Sequence, residues 1–165
     1  MKTILTRMKT LAQDNMASGQ TLSYVKNVEI IHPELIFTNI SRSIFPMICL
    51  TPGFSSEDWE SSQRKVFTHQ VFAYLLMQYN QRELSIIGDS TRPQGKGILD
   101  FDNDFLSIFR DHRLAVAGEL YLDKPIEPIS IDHIVEGIGD AFMLITKIEM
   151  KCTRLFLQAT LPGDI

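Results

Sequence analysis

The chain has 165 residues, 44% apolar and 22% charged, which excludes a disordered segment and lets a core form without metal or disulfide staples. Its 16 Lys and Arg against 20 Asp and Glu leave a formal charge of −4, a poor basis for gripping nucleic acid through its phosphates. Cys49 and Cys152 each sit in an apolar stretch and are too few for a disulfide framework, so two buried thiols in a reducing compartment are expected.

From the N-terminus, Ile4, Leu5, Met8, Leu11, Ala12 and Met16 recur at three- and four-residue steps with Lys2, Lys9 and Gln13 opposite, which predicts an amphipathic helix. Arg7 and Lys9 interrupt any apolar run there, so no signal peptide is expected. Nowhere does the chain approach the ~18 continuous apolar residues of a membrane span, and a soluble protein made in the cytoplasm is expected. Ser18-Gly19-Gln20 stops the helix, Gly19 suiting the left-handed position past a helix end. Tyr24 to Ile31, rich in β-branched residues, predicts a strand ended by Pro33. Phe45 to Leu50 predicts a short buried strand, closed by Thr51-Pro52-Gly53, and residues 54 to 63, FSSEDWESSQ, read as a polar loop.

A long strand is predicted from Lys65 to Tyr79, with Phe67, Val71, Ala73, Leu75 and Met77 on one side and Val66, Phe72, Tyr74 and Leu76 on the other. Apolar residues on both faces require cover on both, from helices or from a neighbouring subunit. Residues 80 to 95 read as loop. A second helix is predicted from about Gly97 to Arg113, with Ile98, Phe101, Phe105, Ile108 and Phe109 as its apolar stripe and Asp100, Asp104, Ser107 and Asp111 opposite. Pro128 to Ile134 and Ala141 to Ala159 alternate as strands, separated by a turn at Gly137-Ile138-Gly139-Asp140. The order helix, strands, helix, strands places the chain in the α+β class, with two main helices packed on a largely antiparallel, strongly twisted sheet. One domain over residues 1–165 is expected, with 155–165 set apart as a candidate extended arm.

The segments that suggest chemistry each lack a necessary member. Asp100-Phe101-Asp102-Asn103-Asp104 has the opening spacing of a calcium loop, but that loop needs Gly at its sixth position and Glu at its twelfth, where Phe105 and Asp111 stand. Acids favoured by the positive end of a helix explain the run more simply. Gly88 to Gly97, GDSTRPQGKG, has six residues instead of four before Gly-Lys, and Gly97 replaces the hydroxyl a phosphate loop requires. His32, His69, His112 and His133 include no i, i+4 pair for zinc, and no strained Gly-x-Ser-x-Gly turn is present. No catalysis, no metal and no cofactor are therefore expected, and His69 reads as a half-buried strand residue. Trp59, alone of its type, reads either as folded back on the nearby strand or as an interface anchor.

The amphipathic first helix, the strand Phe45-Pro46-Met47-Ile48-Cys49-Leu50 closed by Thr51-Pro52-Gly53, the long strand from Val66 to Tyr79, and Lys96-Gly97-Ile98-Leu99-Asp100 leading into a helix with Leu106 and Phe109 follow in an order that resembles the tail terminator (tail completion, head–tail joining) proteins of long-tailed bacteriophages. The resemblance covers about residues 1 to 150; the loop at 80 to 95 and the end from Leu155 to Ile165 lie outside it. It implies a small α+β subunit of a homohexameric ring, a virion protein of the tail or neck whose partners are the tail tube protein and the head–tail connector. A head-completion (neck) protein is the nearest alternative, and a small oligomeric enzyme or regulatory module of a non-viral cell the more distant one. Under this reading Phe54, Trp59, Arg82, Arg92 and Lys96 are the expected interface residues, on two loops. Genomic DNA would pass through the ring without tight binding, and Glu57, Asp58, Glu60, Asp100, Asp104 and Asp111 are the candidate acids of its lumen.

Overall fold

The computed structural model describes residues 1–35, 45–61, 64–79, 86–88, 95–115, 118, 120–138 and 141–157. Helix α1 (Lys2–Asp14) is followed by β1 (Asn27–Ile30), a short 3-10 turn (Pro33–Leu35), β2 (Met47–Ser61), β3 (Arg64–Tyr79), helix α2 (Ile98–Phe109), β4 (Glu127–Ile138) and β5 (Ala141–Leu157). The five strands form one sheet in the order β1-β2-β3-β5-β4. The β1–β2 pair is parallel and the others are antiparallel. Two helices on a mostly antiparallel sheet is the α+β class read from the sequence.

The helices form where their apolar stripes find the sheet. On α1 the buried residues are Ile4, Leu5, Met8 and Ala12, and on α2 they include Ile98, Phe101, Phe105, Leu106 and Phe109. They pack with Ile48 and Leu50 of β2, Val71, Ala73, Leu75 and Met77 of β3, and Ile148, Met150 and Cys152 of β5. Each such side chain, fully withdrawn from water, contributes about 1.5–3 kcal/mol before ordering costs. The opposite sheet face holds a smaller cluster of Phe45, Met47, Cys49, Leu76, Met143 and Ile145. It is buried within the chain itself, so the doubly apolar pattern of β3 calls for no neighbouring subunit there.

Several boundaries differ from the sequence reading: β4 runs on from Ile134 to Ile138, so Gly137 and Ile138, read as turn, are the last residues of a strand paired with β5. The first strand starts at Asn27 rather than Tyr24, because the backbone before it closes turns: Leu22 N–H donates to Asn15 and Val25 N–H to Leu22. Tyr24 instead packs edge-on against Phe101, ring centres 5.5 Å apart. Helix α2 ends at Phe109, not Arg113; the Arg110 N–H makes the last bond, to Leu106, and Asp111 turns to a positive φ of 64°. Residues 155–157, placed with a candidate extended arm, are the last of β5.

The largest correction is that residues 54–61 are strand, not loop. β2 continues past Thr51-Pro52-Gly53 to Ser61 and pairs with β3 as far as Arg64. Pro52 is tolerated because Leu50 turns its carbonyl toward the β1 side, accepting from Ile31 at 3.1 Å. By alternation Pro52 points its missing N–H the same way, beyond the end of β1. The pairing skips between Pro52 and Ser55, and Gly53 fits there because a Cβ would stand 2.9 Å from the Phe72 ring and 3.0 Å from the Gln70 backbone oxygen. Hydrophobic patterning is silent over this stretch because its side chains are exposed or nearly so; the backbone ladder alone makes it strand.

Candidate functional site

The far ends of three strands, residues 56–61, 64–68 and 153–157, run beyond the last core residues Val71 and Cys152 as a three-stranded arm. Alternation puts Glu57, Trp59, Lys65, Phe67, His69, Arg154 and Phe156 on the arm face continuous with the helix side. Trp59 is 54% exposed with the Lys65 ammonium 4.6 Å from its ring centre, and Phe54, at the bulge, is 82% exposed. Trp59 thus lies against its cross-strand neighbour, as one reading of it expected, and is also open to solvent. Lys65 is ion-paired with Glu57, and Arg64 with Glu60 at 3.2 Å.

Farther along the same face Phe67 and Phe156 meet edge to face at 5.1 Å. Arg154 lies 4.7 Å from the Phe156 ring centre and 4.1 Å from that of Tyr121, and Arg7 of α1 reaches the Tyr121 ring at 4.3 Å. The result is a ladder of rings and cations from the hairpin tip to the first helix. Sequence reasoning singled out only its first rung. Arg7, Tyr121, Arg154 and Phe156 come together through sheet register and a loop that no local motif encodes.

The other expected interface residues lie elsewhere. Lys96 is at the start of α2, 3.2 Å from Asp104. Arg82 and Arg92 fall outside the described residues. The acids expected in a lumen do not form one free face. Asp100 accepts the Gly97 N–H at 3.0 Å and caps α2. Asp104 accepts from the Tyr24 hydroxyl at 3.0 Å. Burial first, then Asp104 and the neighbouring carboxylates, hold that phenol far above its ordinary range. Asp111 is exposed beyond the helix end, and only Asp58 of the arm acids makes no ion pair among the described residues.

The histidines are distributed among local bonds. His69 shares a hydrogen bond of 2.8 Å with the Ser55 hydroxyl through Nδ1, and its pKa is lowered by partial burial and then by nearby positive charge, Arg154 included. Among the described residues no carboxylate pairs with that ring to orient it, which a serine–histidine nucleophile requires. His133 of β4 meets the buried Asp102 of α2 at 2.7 Å. The Asp-x-Asp-x-Asp run is thereby split three ways, to a helix cap, a histidine and a tyrosine. Among the described residues no three His, Cys, Asp or Glu gather where a metal ion could bind. Cys49 and Cys152 are free and buried, and burial pushes both thiols up to about 12.

No helix among the described residues is long and apolar enough to cross a membrane. No protein-family model matches the chain, and no curated protein matches it either.

Proposed function

We propose that the chain is the subunit of a homo-oligomeric ring, six-membered in the family it resembles, that terminates a bacteriophage tail tube and joins it to the head connector. The observation that carries this reading is the arm. A chain that buries three phenylalanines of α2 completely leaves Phe54 and Trp59 in solvent on the outer half of β2, where every side chain from Phe54 to Ser61 is exposed. Exposed aromatics on a rigid strand are characteristic of a surface that another protein covers.

The sheet edges support the same reading. β1 pairs with β2 only at residues 47–50, so the outer edge of β2 beyond Leu50 has no strand partner among the described residues. β4, at the other edge, exposes Ile129, Ile131, Ile134 and Val135. Long open edges with apolar side chains aggregate unless covered, and ring closure covers them. The role is structural, with no catalytic step, metal or cofactor, and DNA passes through the opening without being held.

Electron microscopy of the purified protein, alone and with tail tubes, tests the reading. The expected result is a ring of fixed symmetry that caps tubes. A ring that instead binds portal-bearing heads and ignores tubes would assign the chain to the neck, and a monomer under all these conditions would overturn the ring.

A further inference from the structure

Arg7 and Arg154 share one tyrosine. Their guanidinium carbons stand 4.3 and 4.1 Å from the Tyr121 ring centre, so the two charges lie within roughly one screening length, about 8 Å, of each other. Arg7 donates to the Leu114 carbonyl at 2.9 Å and Arg154 to the Tyr121 hydroxyl at 3.0 Å. Among the described residues neither guanidinium has a carboxylate within ion-pair distance. The described acids nearby are engaged or set apart. Asp123 accepts the Leu155 N–H at 2.6 Å. Asp14 lines the same groove of about 570 Å³ as Arg7, but two helical turns along α1. The Nε of Arg154 is buried and unpartnered, and each such donor lacks a bond that folded proteins normally supply. Two half-buried like charges at this spacing repel, and an anion between them would be favoured by both.

We propose that the Arg7–Tyr121–Arg154 stack is the docking point for a carboxylate of a second copy of this chain, delivered by the acidic arm tip of the neighbouring subunit. This rests on the ring reading. The chain carries a formal −4, so a patch with two arginines that have no ion pair among the described residues is complementary to much of the rest of its own surface. At the arm tip Glu57 and Glu60 are held by Lys65 and Arg64, which leaves Asp58, exposed and without an ion pair among the described residues, as the carboxylate available to a neighbour. A ring needs a heterologous contact, one patch meeting a different one, and an acidic tip with a basic socket on each subunit satisfies it. The socket is built of Arg and Tyr, with Trp59 on the same ladder, and these are the residue types that dominate binding energy at interfaces.

The test is assembly of the full chain followed by light scattering and microscopy at 50 and 500 mM salt. Arg154→Glu, Arg7→Glu and Asp58→Lys should each raise the concentration for half assembly at least tenfold at low salt. The wild type should lose assembly as salt rises. Combining Asp58→Lys with Arg154→Glu in one chain should recover at least half of the loss. Circular dichroism and thermal melts identify any variant that fails to fold, and Arg7→Glu, on the helix surface, guards against that outcome for Arg154. Rings that form equally well in all folded variants would overturn the docking point and leave the ring standing; a wild type that never assembles, alone or on tubes, would overturn both. Duplex DNA binding by the wild type that disappears in Arg154→Glu would give the socket to phosphate instead, and would also overturn the proposal.

Discussion

Gly88 and Gly97 meet backbone to backbone ahead of α2. A Cβ on Gly97 would stand 2.4 Å from both the Gly88 nitrogen and the Ile86 oxygen, and one on Gly88 would stand 2.4 Å from the Gly95 oxygen, at a φ of +80°. Backbone atoms cannot swing aside as a side-chain end can. Gly97→Ala is therefore expected to lower stability by about 3 kcal/mol, the scale of overpacking in a filled site. Gly19→Ala has the strain of a φ of +83° but open space around it, and should cost only about 1 kcal/mol. Urea unfolding of the two variants measures the difference, and equal losses would refute the clasp. A second residue-level consequence follows from His69. Its folded pKa is lowered, by partial burial and then by positive charge, so the unfolded chain takes up a proton that the folded one resists. The stability it contributes is complete above the ordinary histidine pKa of about 6.5 and is lost as pH falls through the lower folded value. His69→Gln should flatten the acid side of the stability profile as pH falls below the ordinary histidine value of about 6.5, read from unfolding midpoints; an unchanged slope would count against it.

At the level of elements, one pair joins the second helix to the edge of the sheet. The Asp102 side chain is 7% exposed and its partner His133 is 45% exposed, while the other Asp102 oxygen is buried without a partner. Removing the imidazole would leave a buried carboxylate with no donor, so His133→Ala should cost about 1–3 kcal/mol. Lys151→Ala, which breaks the exposed pair with Glu127 at 3.9 Å, should cost under about 1 kcal/mol. Chemical denaturation of both separates the cases. The same helix illustrates what the sequence made legible. The three- and four-residue spacing of Ile98, Phe101, Phe105 and Phe109 located α2 because burial of one stripe is what makes it helical. β3 was placed to within a residue for the analogous reason, its apolar side chains being needed by two clusters. The stretch from Phe54 to Ser61 was misread because a strand held only by its backbone ladder has no hydrophobic period to find. The acid at 102 looked like part of a charged run, and nothing local shows that a histidine 31 residues later will meet it. The candidate site was less legible still: Trp59 and Phe54 stood out as exposed aromatic candidates, but the Arg7–Tyr121–Arg154 stack joins a helix, a loop and the last strand.

For the whole molecule, the proposed ring makes separate demands on assembly and on DNA passage, and each can be tested. Trp59 touches Lys65 at the arm and belongs to neither core cluster. Trp59→Ala should therefore leave the melting temperature within about 4 °C, the shift expected of about 1 kcal/mol in a domain of this size. Assembly should weaken at least tenfold, and a variant that unfolds would instead make Trp59 a core residue. In the proposed ring, DNA passage would depend on what lines the opening. The acids that looked available for it are partly neutralised: Glu57 by Lys65, Glu60 by Arg64 and Asp104 by Lys96. The local field is then weaker than three free carboxylates would make it, and such fields fade over about 8 Å at physiological salt. A ring built this way has little with which to repel a duplex. It has equally little to hold one, because phosphate affinity grows with each basic contact and several of the arm's and helix's cations already have acids. Filter binding with duplex DNA at 150 mM salt should accordingly give a dissociation constant weaker than about 10 µM, the range of non-specific contacts. Binding in the nanomolar range that falls steeply with added salt would show a basic lumen, and would contradict free passage.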